Sequence, residues 1–136
     1  MMKRGKNKIG KIIKIGGVNT WGHEDFIANA LARIGYTVKF VPAHNSFRSA
    51  DAYIENTLFE FKSPDSDNIK SVINNLEKAL KHQSKNIVIT SLRMKKVQDR
   101  SIRSYLVTKF RERKGMKRLI FVDKQGNVID IGELSR

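Results

Sequence analysis

Between Asp51 and Lys62 the sequence reads DAYIENTLFEFK, and this stretch constrains the fold more than any other. It predicts a hairpin, with one strand over Asp51–Ile54, a tight turn at Glu55-Asn56 and a second strand over Thr57–Lys62. Side chains alternate along a strand, so Leu58, Glu60 and Lys62 share one face while Phe59 and Phe61 share the other. The phenylalanines need an apolar layer, which places the hairpin in a covered sheet. An acid and a lysine then project together from the opposite face, and a second acid, Asp51, opens the facing strand. Two carboxylates hold a hard divalent cation through oxygen. An ammonium group beside them orients a water or neutralises charge on a phosphate. Asp51, Glu60 and Lys62 are thus candidate catalytic residues for phosphodiester chemistry. Asp51 and Glu60 are the candidate ligands of Mg²⁺ or a similar cation.

The rest of the chain builds a layer around this hairpin. Asn19 or Thr20 is expected to cap a helix over 21–34, with Glu24 and Asp25 in its first turn and Ile27, Ala30, Leu31 and Ile34 as its apolar stripe. Residues 36–41 read as a strand stopped by Pro42. The polar loop that follows delivers the chain to Asp51, so His44 and Arg48 belong at the rim of the site. Arg48 suits a substrate phosphate. His44 has the intrinsic pKa of a general acid or base, a plain loop histidine being the alternative. A helix is expected over 68–83, with Lys70 near its start as a phosphate contact, and Asn86–Thr90 has the unbroken apolar pattern of a buried strand. A basic helix over 97–113 turns Ile102, Tyr105, Leu106 and Phe110 inward, with Lys96, Arg100, Arg103, Arg111 and Lys114 at helical spacing outside. A hairpin of Arg118–Val122 and 128–131 closes the chain. Helix, strand, hairpin, helix, strand, helix, hairpin is the order of an α/β sandwich, a mixed central β-sheet flanked by helices.

Charge sharpens the functional reading. Lys and Arg number 27 against 13 Asp and Glu, a net charge of +14. Residues 1–20 hold six basic and no acidic side chains, and residues 93–118 hold eleven basic and two acidic ones. The remainder is close to neutral. Cations segregated in this way mark a surface for a polyanion, nucleic acid above all. With no cysteine, disulfides and thiolate metal sites are excluded. The short apolar runs predict no membrane anchor. Residues 1–17 are expected to form a basic arm, in which 8–15 alternates enough to add an edge strand, and 18–136 a single nuclease-like domain.

The spacing of Asp51 from Glu60-Phe61-Lys62 has the form D-(x)n-E-x-K, and here the chain resembles the PD-(D/E)xK nuclease superfamily. Ala50 stands where that pattern's name has proline. Within the superfamily, ADAYIENTLFEFKSP looks most like the C-terminal tRNA-cleaving toxin domains of contact-dependent growth inhibition (CdiA-type) proteins and their phage and mobile-element relatives. The resemblance, from about residue 22 to 131, implies an endonuclease acting on tRNA, with a metal that RNA chemistry can dispense with. It implies that Glu24 joins the catalytic site and that Gln83 approaches it. It also implies a cognate immunity protein as partner, expected to be acidic, and action in the cytoplasm of a cell into which the toxin is delivered. Two other classes stay open on the residues alone: a DNA endonuclease of the restriction or junction-resolving kind, and a non-catalytic basic nucleic-acid-binding module.

Overall fold

The computed structural model describes residues 9–42 and 51–135, and Asp51 by its backbone alone. Its elements are β1 (Ile12–Lys14), α1 (Gly22–Arg33), β2 (Val38–Val41), β3 (Asp51–Ile54), β4 (Thr57–Lys62), α2 (Lys70–Lys81), β5 (Asn86–Thr90), α3 (Asp99–Glu112), β6 (Arg118–Val122), β7 (Val128–Asp130) and the short α4 (Ile131–Leu134). The strands lie in sequence order in one seven-stranded sheet. β2, β3 and β4 are antiparallel, while β4, β5 and β6 run parallel through the crossovers of α2 and α3. β1 pairs parallel to β2, and β7 antiparallel to β6. This is the mixed α/β sandwich expected from the order of elements.

The hairpin has the bounds its sequence predicts. Glu55 and Asn56 both take positive φ, 50° and 79°. A two-residue hairpin turn needs that left-handed backbone to match the twist of its strands, and Asn tolerates it well. The alternation then sorts the core. Phe59 and Phe61 pack with Phe40, Ala52, Val88 and Ile120 beneath Ile27 and Leu31 of α1. The other face presents Ile87, Ile89, Leu119 and Phe121 to Leu76 of α2 and Ile102 and Leu106 of α3.

Several boundaries move, α2 by two residues at each end and β2 by two at its start. Trp21 takes the N-cap position of α1 in place of Asn19 or Thr20. The Thr20 hydroxyl instead donates to Asp25 Oδ1 at 2.6 Å, and the Trp21 N–H donates to Glu24 Oε1 at 2.8 Å. Here the carboxylate three residues on closes the first turn, the reciprocal half of a capping box. α3 begins at Asp99 and ends at Glu112, so Lys96 and Lys114 lie in flanking turns and its outward cationic row holds Arg100, Arg103 and Arg111. The end of the second hairpin curls into α4, whose first turn Asp130 caps by accepting the Glu133 N–H. β1, the edge strand that 8–15 allowed, is reached through Gly10. A Cβ there would lie 1.8 Å from the Tyr36 carbonyl oxygen, so no other residue fits that approach.

Candidate active site

Register brings the sequence motif together. Asp51 pairs directly with Glu60, and Glu60 and Lys62 pair with Ile87 and Ile89 of β5. Glu60 and Lys62 therefore share the face covered by α2 and α3, with Asp51 at the register position beside Glu60. Glu60 is 5% exposed, one of few buried charges among the described residues. Lys62 Nζ lies 2.7 Å from Glu60 Oε2, and the Ser84 hydroxyl donates to Glu60 Oε1 at 2.6 Å. Beyond the Lys62 ammonium, Oε2 has no hydrogen-bond partner among the described residues. His82 Nδ1 stands 3.6 Å from the same oxygen.

These neighbours set the protonation of Glu60. Burial alone would push its carboxyl up, but the Lys62 and Ser84 hydrogen bonds and the charge of Lys62 outweigh it and hold the group below the ordinary glutamate range. Glu60 is ionised at neutral pH. It opens into a cleft of about 300 Å³ lined by Leu58, Phe59, Glu60, His82, Gln83, Ser84, Lys85 and Asn86.

Sequence reading missed His82 and Ser84. Both lie in the turn after α2, where Gln83 adopts φ 63°. That kink leaves Gln83 exposed and sets His82 and Ser84 against Glu60. The available signal was topological: a parallel crossover from β4 to β5 must return the chain beside the strand it left. Glu24 is buried and caps α1 as described, on the layer that packs against Phe59 and Phe61. Lys70, Lys96, Arg100, Arg103, Arg111 and Lys114 are all exposed. The Lys96 backbone donates to Asp67 Oδ1 at 3.1 Å, and Arg111 Nε donates to the Ser135 carbonyl at 3.2 Å. Arg100 and Arg103 project from the outer side of the layer that covers Glu60 and Lys62. His44 and Arg48 lie outside the described residues. Among the described residues no three His, Asp or Glu side chains cluster as a metal site, and no helix is long and apolar enough to cross a membrane.

Comparison with known proteins adds a family. The family model of the contact-dependent growth inhibition CdiA C-terminal domain matches residues 48–128. No curated protein matches the chain. Among solved structures, a chain of the CdiA-CT/CdiI toxin and immunity complex from Burkholderia pseudomallei aligns with a TM-score of 0.60 and 20% sequence identity, over 89% of this chain and 95% of that one. Identity at that level shows a shared fold.

Proposed function

The chain belongs to the family of contact-dependent growth inhibition CdiA C-terminal domains, and from that premise we propose that it is a toxin-type endoribonuclease that cleaves tRNA at the Asp51–Glu60–Lys62 site. The observation that carries this reading is the 2.7 Å contact of the Lys62 ammonium with a buried, ionised Glu60. A buried charge pair costs stability that an apolar pair would not, so its position beside a cleft that Glu60 lines asks for a chemical reason. Lys62 neutralises charge building on the non-bridging oxygens of the phosphate. Glu60, kept ionised, accepts a proton from the attacking hydroxyl, whether water or the 2′-hydroxyl of the substrate. Ser84 fixes the carboxylate by donating to Oε1 at 2.6 Å.

Glu60 and its register partner Asp51 would be the ligands of a hard divalent cation, because such an ion takes carboxylate oxygens and the two residues hold paired positions on neighbouring strands. Mg²⁺ held there would supply Lewis-acid stabilisation of the phosphoryl oxygens. Arg48, His44, Lys70 and the arginines of α3 are the proposed contacts to the phosphate backbone. The basic residues of 1–17, part of which form β1 of the sheet, are further proposed contacts to that backbone. The Burkholderia protein is a toxin solved with its immunity partner, and we extend that relation here: an acidic immunity protein would meet a chain of charge +14 with fast, steered association.

The test is incubation of the purified protein with total tRNA and with plasmid DNA, in Mg²⁺ and in EDTA. We expect discrete tRNA fragments from the parent protein, none from Glu60→Ala or Lys62→Ala, and intact plasmid throughout. Plasmid cutting with intact tRNA would move the assignment to a DNA endonuclease. Tight RNA binding with no cleavage by any form would leave a non-catalytic module.

A further inference from the structure

We propose that Trp21, with His23 stacked on it and Arg93 nearby, forms a stacking subsite for an unpaired nucleobase, the adjoining phosphate falling to Arg93. The choice of RNA as ligand rests on the reading above, whereas the site is built from residues that reading does not use. Trp21 is the sole tryptophan of the chain, and it stands 60% exposed at the mouth of α1. An indole left in water forgoes much of the stabilisation that burial gives. Its ring lies nearly parallel to that of His23, at 12° with centroids 6.1 Å apart. That is offset stacking, and it leaves most of the indole surface for a second flat partner.

Charge around the pair selects the ligand. Desolvation, and then the positive charge of Arg93, hold His23 below the ordinary histidine range, with Asp65 opposing. The imidazole is thus a neutral ring at neutral pH, and the local cation is Arg93. Arg93 Nε donates to Ser63 Oγ at 3.2 Å, and its Nη2 donates to the Ser63 carbonyl. Its Nη1 lies 3.6 Å from Asp65 Oδ2. A guanidinium tethered on one side keeps about two of its five N–H donors for a phosphate oxygen. Ser63 directly follows Lys62, so the tether sits at the end of the strand that carries the catalytic pair. Arg93 also opens the basic run of residues 93–118. An exposed aromatic face with a tethered cation within electrostatic reach of its histidine is an arrangement that grips single-stranded nucleic acid.

Trp21 itself provides the assay. Glu60→Gln protein in EDTA, titrated with an unstructured oligoadenylate RNA, should show saturable quenching of tryptophan fluorescence. By anisotropy of labelled RNA at fixed salt, Trp21→Ala should weaken binding roughly tenfold, within the range measured for loss of one stacked base. Trp21→Tyr, which keeps a stacking ring, should recover most of that loss. Arg93→Gln should lower the salt slope by about 0.7, the value for one phosphate on a single strand. Circular dichroism of each variant checks that the fold is kept. Absent quenching, or equal affinity of parent and Trp21→Ala, overturns the subsite and assigns the exposed indole to a protein partner. Loss of cleavage in Lys62→Ala with no effect at Trp21 would sink the subsite alone. Quenching and lost affinity in a protein that cuts no RNA would sink the nuclease reading and keep the subsite.

Discussion

Removing the lysine from the buried pair should separate what Lys62 does for the fold from what it does for chemistry. In Lys62→Met the ammonium that lies 2.7 Å from Glu60 Oε2 is gone. The Glu60 carboxylate, only 6% exposed at its side chain, keeps the Ser84 hydroxyl and a solvated His82. Breaking a buried ion pair costs about 3–5 kcal/mol, chiefly because the remaining charge is stranded. Lys62 retains some solvent contact, which argues for the lower end, about 3 kcal/mol. For a domain of this size that corresponds to a fall in Tm of roughly 10 °C. The pH dependence gives the sign. In the parent, Glu60 is held below its ordinary range, so its contribution is complete above that range and is lost as pH falls through the lowered value. In the variant the two contributions of Lys62 that oppose burial are lost, so the carboxyl titrates higher than in the parent and takes up its proton sooner as pH falls. The stability gap between the two proteins should therefore be widest near pH 7 and close progressively in acid. Glu60→Gln/Lys62→Met, with no charge left to strand, should recover to within about 1 kcal/mol of the parent while remaining inactive on tRNA. Urea denaturation of all three proteins across pH measures this directly. A gap that is independent of pH, or a double variant as unstable as Lys62→Met, would refute the argument and make Lys62 a packing residue.

Other perturbations probe the frame and the surface. Asp99 accepts from the Ser91 hydroxyl, from the Lys124 backbone at 3.0 Å and from Lys124 Nζ at 3.0 Å; burial opposes these bonds, but they hold its carboxyl below the ordinary range. Asp99→Asn should cost about 1–3 kcal/mol at pH 7 by denaturant melts, and the deficit should shrink as pH falls through the lowered value. Gly10→Ala drives a methyl group into the Tyr36 carbonyl and should lower stability by about 1–3 kcal/mol, with hydrogen exchange rising first at β1 and β2. Arg100→Gln/Arg103→Gln should weaken RNA binding evenly across sequences and reduce the salt slope by about 1.4, leaving Tm within a few degrees. A change in cut position without a change in salt slope would count against a backbone-tracking role for α3.

Local patterns in the sequence determined most of the frame. The strand–turn–strand of 51–62 is written in its alternation and in a Glu-Asn pair that accepts positive φ. The same alternation put Glu60 and Lys62 on one face, and a strand's two-residue period leaves no other outcome. Apolar stripes located α1, α2 and α3 to within a few residues, and their ends slipped where side-chain hydrogen bonds decide. Nothing local distinguishes Thr20 from Trp21 as the cap until Glu24 is seen to accept the Trp21 N–H.

What the tertiary structure alone decided is the company each charged group keeps. Ser84 reaches Glu60 across 24 residues of chain, and Arg93 reaches Ser63 across 30. Those meetings follow from β5 lying parallel beside β4, with α2 between them in sequence. Periodicity reports which face a residue takes, but the partner on that face is chosen by strand order and register. The surroundings of Glu60, with its buried charge held ionised by Lys62 and Ser84, and the tether of Arg93 to Ser63 became visible only when the sheet was assembled.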